Sequence, residues 1–308
     1  MNYSKPPLSI SDQITKLEER GLIIDDIEKA KKYLSHIGYY RLSAYFIPFE
    51  QLTVNDSRGH EFLPDTLFKQ ILELYIFDRK LRLLIMEAIE RIEVSVRTCW
   101  AGELALRSNN SHAYMDAQLF ADPWKHQIRL ARVSKELHSS KEICVKHYKE
   151  KYTQPYLPPV WAMVETLSFG SLSSWVASTK NNEIKTILAH NLGLPTAAIM
   201  EKVLHVLTYI RNLCAHHARV WNRKMTLQLP SIRRFDQDLI TDSTSINGRQ
   251  LTREIYNYLI ILIQIMQNIQ PNTTWVKRLK LHIETLNDSQ YQSMGFPLDW
   301  QNKSIWQS

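Results

Sequence analysis

Apolar residues recur at helical spacing along most of the chain. Ile14, Leu17 and Leu22 start the series, and Ile27, Ala30, Tyr33, Leu34 and Ile37 continue it. Ser11 or Asp12 can cap the first of these helices, with Gly21 near its end; Asp25-Asp26 opens the second and Gly38 stops it. Leu67, Ile71, Leu74, Phe77, Leu81, Leu84, Ala88, Ile92 and Val96 mark one long helix from Asp65 to about Leu106, broken at Ser108–Ser111. Further helices are expected at Pro123–Ser139 and Lys141–Lys151, then an extended Tyr152–Pro159 connection with three Pro. Val160–Leu167 and Leu172–Ser178 read as short helices about Ser168-Phe169-Gly170-Ser171, and Asn182–His190 as another. A long helix is predicted from about Pro195 to Lys224, and the last ones over Gln250–Gln270 and Thr274–Leu286. Residues 51–63, with Asn55, Asp56, Ser57 and Gly59, read as a loop. No strand alternation, internal repeat or low-complexity tract is evident. The pattern predicts an all-α helical bundle: an N-terminal unit over 1–60, a main domain over 61–290 and a tail over 291–308 with aromatic anchors.

The helix predicted over Pro195–Lys224 carries an unusual polar set. Ile199, Val203, Val206, Ile210, Leu213 and Val220 define its apolar stripe, with Trp221 alongside. At about 100° per residue, His217 falls on the centre of that stripe and reads as a core histidine. His216 lies off one edge and Arg211 off the other. Asn212, His216, Arg219 and Arg223 follow i, i+4, i+7, i+11 and are expected on one polar face. His216, with Asn212 one turn behind it, is therefore the candidate for chemistry.

Such a set suits acid–base work on a phosphodiester. His takes and gives protons near neutral pH. Arg presents a fork of donors matched to phosphate oxygens and to developing negative charge. Asn can orient either. RNA brings its own nucleophile, the 2′-hydroxyl, so no metal, cofactor or protein nucleophile is required. The bland alternative is a buried polar helix junction, and on spacing alone it is the favoured reading, because Arg-x4-His is a short pattern with many chance matches.

Charge placement adds to the picture. The chain's 308 residues carry 38 Lys and Arg against 31 Asp and Glu, a net +7. Lys202, Arg211, Arg219, Arg223, Lys224, Arg233 and Arg234 all fall between positions 202 and 234, where no acid occurs. A local positive field of this kind suits a polyanion. Arg219, Arg223, Lys224 and His217 are the candidates to hold an RNA backbone. Tyr39–Phe46 sets Arg41 among three Tyr; it can stack on bases, but an aromatic core with a snorkelling Arg is the favoured reading. Cys99, Cys144 and Cys214 are scattered, without metal spacing, which fits reduced thiols in a cytoplasmic protein. Met1–Pro7 starts no signal peptide. The most apolar run, Ile255–Met266, is too short for a bilayer and reads as a buried core helix.

Arg211-Asn212-Leu213-Cys214-Ala215-His216 resembles the R-x4-6-H motif of HEPN-domain ribonucleases. The longer string Arg-Asn-x-x-Ala-His-His-x-Arg-x-Trp-Asn is similar to the Abi-like (abortive infection, AbiD/AbiF type) branch of that superfamily. Ser35–Tyr45 resembles that family's N-terminal signature, as does Phe77–Arg82 leading to Ile89–Glu93. The three stretches occur in the family's order and cover most of the chain. The resemblance implies a HEPN-type bundle with an N-terminal extension and a phage-defence protein that cleaves RNA. It implies Arg211, Asn212 and His216 as the catalytic set and pairing as a homodimer. One acid of the long helix, Glu90 or Glu93, with an Arg such as Arg97, would then orient the motif Arg or His. Some HEPN toxins carry a modifiable Tyr two residues after the motif His. Here that position is Ala218, so control by nucleotidyl transfer to that Tyr is not expected.

Other classes fit poorly. Adjacent His216 and His217 point about 100° apart on a helix and do not readily share a zinc ion. No H-E-x-x-H, hydrolase elbow or phosphate loop occurs. Two readings stay open: a metal-independent endoribonuclease, and a non-catalytic RNA-binding HEPN relative that partners an RNA or a toxin. Leu229–Gly248, polar and irregular, is expected to fold over the site or stay mobile.

Overall fold

The computed structural model describes residues 6–52, 58–241, 245–246 and 249–307. The fold is all-α, as the periodicity predicts. The chain divides within one long helix into two compact units, Met1–Leu81 and Arg82–Ser308.

In the first unit, α1 (Ile10–Glu19) starts with a capping box: the Ser9 side chain accepts from Asp12 N and the Asp12 carboxylate accepts from Ser9 N. The cap therefore lies at Ser9, ahead of the expected Ser11 or Asp12. Asp26 caps α2 (Ile27–Ile37), and Gly38 ends it at φ +86°, a conformation that costs a residue without Cβ little. After α3 (Tyr39–Leu42), the aromatic run forms a core. Tyr45 and Phe46 are buried, Phe46 meets Tyr39 and Phe62 edge-on, and Tyr40 stays exposed.

The predicted loop over 51–63 is corrected by an antiparallel pair, β1 (Glu50–Leu52) with β2 (Arg58–Phe62). The Asn55-Asp56-Ser57 part of that loop lies outside the described residues. Long-range bonds decide this pairing. Arg20 bonds the buried Glu50 carboxylate at 2.6 Å and Tyr39 Oη at 2.8 Å, its guanidinium lies over the Phe62 ring, and Phe62 N donates to Arg20 O. The long helix is α4 (Phe68–Ser108). Within the first unit its fully buried Asp78 accepts a 2.6 Å hydrogen bond from Tyr45 Oη.

The second unit holds the rest of α4 and α5 (Pro123–Ser139), α6 (Ile143–Lys151), α7 (Val160–Met163), α8 (Phe169–Ser178), α9 (Asn182–Asn191) and α10 (Ala197–Ala215). After these come a two-residue pairing of β3 (Ser245–Ile246) with β4 (Arg249–Gln250), α11 (Ile255–Ile269), α12 (Trp275–Ile283) and α13 (Asp288–Gln292). Helix α11 is the central core helix, buried at every residue from Ile255 to Ile263. Its one polar intruder there, Asn257, is satisfied by Ile240 N at 2.9 Å and Ile240 O at 2.8 Å. Tyr256 Oη donates to Asp238 O, and Gln264 to the Asp238 carboxylate. Of the stretch expected to be irregular, Leu229–Thr241 is thus tied onto α11 and Ser245–Ile246 forms β3; residues 242–244 and 247–248 lie outside the described residues. In the tail, Phe296, Trp300 and Trp306 form one ring cluster with Tyr256.

Helices α8 and α9 pack against α10. Ser168 caps α8, and Gly170 lets it approach closely: a Cβ there would meet Thr208 Cγ2 at 3.2 Å. Among the described residues no helix is long and apolar enough to cross a membrane.

Candidate functional site

The site is built at the end of α10. Thr196 caps the start of the helix, and Met200, Val203, Leu204, Val206, Leu207, Ile210 and Cys214 are its buried residues. It stops at Ala215, not at about Lys224. His216 N donates to Asn212 O at 3.0 Å, His217 N to Cys214 O at 3.0 Å, and Ala218 N to Leu213 O at 2.9 Å. This is a Schellman closure, with His217 at φ +57° where glycine is the usual residue.

No glycine or proline announces this stop. Its cause is the burial of the residues just beyond the turn: Val220, Trp221 and Met225 are all fully buried. A continued helix would set Val220 and Met225 about 140° apart, so it could not bury both on one face. The irregular path does. Met225 N donates to Arg253 O, Arg253 Nη2 to Thr226 O, Tyr258 Oη to Leu227 O and Trp221 Nε1 to Gln290 O. Buried Arg82, on α4, reaches Ala218 O at 3.5 Å.

Two expectations are corrected by this turn. His217 is exposed, not a core histidine, because the stripe that would have buried it ends two residues earlier. Arg219 and Arg223 do not extend a helical face through Asn212 and His216. They lie on the irregular segment, where Arg223 Nη1 reaches Arg219 O at 3.5 Å. Arg219 and Arg223 are half-buried, and Lys224 is exposed.

Arg211 is half-buried, while Asn212 and His216 are exposed. Around the helix axis Asn212 lies between the other two, about 100° from Arg211 and about 40° from His216. Arg211 Nη1 reaches Asn212 Oδ1 at 3.5 Å, so its head turns towards the side that His216 occupies. The end of a largely buried helix thus presents a guanidinium, an amide and two imidazoles to solvent.

Sequence reasoning missed three residues here. Tyr209 precedes His216 by seven residues and shares its face with Asn212, so helical spacing alone could have found it. Its hydroxyl bonds Thr226 Oγ1 at 3.4 Å and accepts from Thr226 N at 3.3 Å. Burial raises the Tyr209 phenol, but the Thr226 bonds and the Arg223 charge outweigh it and hold the group below the ordinary tyrosine value. Arg82 and Arg253 hold the chain beyond the motif, and only the tertiary structure brings them there.

Of the supporting residues expected on α4, Glu93 and Arg97 are bonded to each other. Arg97 donates to the Glu93 carboxylate and to the carbonyls of Val164 and Leu167, the latter at 2.7 Å. These bonds fasten the approach to α8. Glu90 is exposed. Glu87, not singled out in the sequence, makes a two-bond pair with Arg278 at 2.8 and 2.5 Å. That hydrogen bond, ahead of the opposing effect of burial, holds its carboxyl below the ordinary value. Among the described residues no group of three or more His, Cys, Asp or Glu is placed to hold a metal ion.

Comparison with known proteins gives one positive result. No curated protein and no solved structure gives a significant match. The family model for Abi-like proteins matches residues 32–222, well over half of the chain, from the middle of α2 through the turn after His217. With that coverage, the chain belongs to the Abi-like protein family.

Proposed function

We propose that this chain acts in abortive infection, the phage defence suggested by its family, as a metal-independent endoribonuclease of the HEPN type. The observation that carries the reading is the grouping of Arg211, Asn212 and His216 at the outward end of α10, in a member of the Abi-like family. In the proposed reaction the RNA 2′-hydroxyl attacks the adjacent phosphate. His216 serves as general base at that hydroxyl or as general acid at the leaving 5′-oxygen. Arg211 holds the phosphate and stabilises its added negative charge, and Asn212 orients one of the two. The products are a 2′,3′-cyclic phosphate and a 5′-hydroxyl. His217, Arg219, Arg223 and Lys224 offer positive charge to the flanking backbone.

One chain supplies one such His, whereas the reaction uses both a proton acceptor and a donor. A second copy related by a two-fold axis would bring the other, so we propose a homodimer with a shared cleft.

The test is RNA incubation in the presence of EDTA, comparing wild type with His216→Ala. His216 is exposed, so its truncation opens no core. The proposal expects cyclic-phosphate ends from wild type only, with folding and RNA binding retained in the variant. Chelator-sensitive cleavage or 5′-phosphate ends would overturn the mechanism, and binding without cleavage by wild type would leave only RNA binding. Mixing wild type with excess His216→Ala subunits, after exchange, should depress activity below simple dilution if the cleft is shared.

A further inference from the structure

The chain has eight Trp, and six of them, Trp100, Trp175, Trp221, Trp275, Trp300 and Trp306, are fully buried. The other two, Trp124 at 84 % and Trp161 at 55 % exposure, stand open to solvent on one stretch that runs from α5 to α7. Tyr152 and Tyr156 are exposed on the connection between them. Among the described residues one further large aromatic, Tyr40, is exposed. A large ring left in water costs free energy unless something covers it in use.

The charge of the same stretch selects the occupant. Between Pro123 and Trp161 there are eight Lys and Arg against three Glu, a net +5. Arg132, Lys135, Lys141, Lys146 and Lys151 are exposed, and among the described residues none has an ion-pair partner. Lys151 instead lies 5.5 Å from the centroid of the Tyr152 ring. Cores of protein–protein interfaces are depleted in Lys. Open rings interleaved with unpaired cations are the arrangement that holds unpaired bases: the rings stack on them and the cations follow the phosphates.

We propose that the α5–α7 stretch is a binding surface for single-stranded RNA, separate from the end of α10, with Trp124, Tyr156 and Trp161 as stacking positions and Arg132, Lys135 and Lys146 as phosphate contacts. The choice of RNA rests on the proposed function. On this surface the substrate class becomes strands with unpaired bases, selected by a second set of residues. Duplex RNA keeps its bases stacked within the helix, so the exposed rings gain little from it.

The experiment uses full-length His216→Ala, so that binding is read without turnover. Fluorescence anisotropy follows a fluorescein-labelled single-stranded RNA and its matched duplex. Trp124→Ala, Tyr156→Ala and Trp161→Ala in that background should each weaken single-strand binding by about fivefold to a hundredfold, with little change on the duplex. Lys135→Gln with Lys146→Gln should flatten the dependence of log Kd on log salt by about 0.7 per charge removed. Circular dichroism checks that these surface variants fold. Unchanged single-strand affinity when Trp124, Tyr156 and Trp161 are all replaced by Ala together overturns the proposal. So does a light-scattering mass that falls from dimer to monomer with those substitutions while RNA affinity holds, which would make the rings a contact between copies. Loss of binding to anionic phospholipid vesicles alone would do the same in favour of a membrane. Absence of RNA cleavage by wild type, measured separately, would fail the nuclease reading and leave the binding result standing.

Discussion

Replacing Arg97 by Met tests whether the Glu93–Arg97 pair belongs to the chemistry or to the scaffold. Arg97 is 8 % exposed and donates to the Glu93 carboxylate and to two main-chain carbonyls, Val164 and Leu167. Met keeps most of the volume and removes all three bonds. Val164 O keeps its bond from Leu167 N, so only Leu167 O loses its donor, at about 1–3 kcal/mol, while breaking a buried ion pair costs about 3–5 kcal/mol in all. The ion-pair range already counts the groups left behind, so a loss of about 3–5 kcal/mol is expected, or roughly 6–10 °C in melting temperature for a chain of this size. Glu93→Gln keeps an acceptor for Arg97 and should cost less, about 1–2 kcal/mol. Urea unfolding followed by circular dichroism gives the stability, and RNA cleavage per folded molecule gives the activity. The scaffold role predicts a large fall in stability with cleavage per folded molecule close to wild type. An Arg97→Met protein that melts with wild type yet cleaves more than tenfold more slowly would refute it and return Arg97 to the site.

At His217 the positive φ makes the backbone, not the imidazole, the demand that a substitution meets first. His217→Gly should therefore hold or raise stability by up to about 1 kcal/mol, whereas His217→Val should lose about 1–2 kcal/mol because a β-branched residue is strained there; thermal melts that rank Val above Gly would contradict the Schellman closure. The Glu87–Arg278 pair predicts an acid limb. The Glu87 carboxyl is lowered in the fold, chiefly by its hydrogen bond with Arg278, so its stabilisation is complete above the ordinary value of 4.5 and is lost as pH falls through the lowered folded value. Arg278→Met should accordingly destabilise at neutral pH and converge with wild type in that acid range, and a stability gap that persists there would place its cause outside the carboxyl.

The sequence by itself determined most of the helices, because their signals are local. Asp26 and Gly38 bound α2, Asp122 with Pro123 starts α5 at the predicted residue, and the apolar run from Ile255 is the buried α11. It also carried the family, since Arg211, Asn212, His216, Trp221 and Asn222 are adjacent in the chain. What periodicity could not carry was the end of α10. A helical stripe continues on paper through Val220, but burial of Val220, Trp221 and Met225 against partners distant in sequence turns the chain at His217 and leaves both imidazoles in solvent. The β1–β2 pair arose in the same way, from an Arg20–Glu50 bond across thirty positions. Trp221 beside the apolar stripe and the aromatic anchors of the tail were legible as core, but that Trp124 and Trp161 stand open was not. Hydrogen bonds one turn apart and caps three residues apart are written in the local sequence. The choice between two ways of burying the same apolar residues is made by contacts that exist only once the chain has folded.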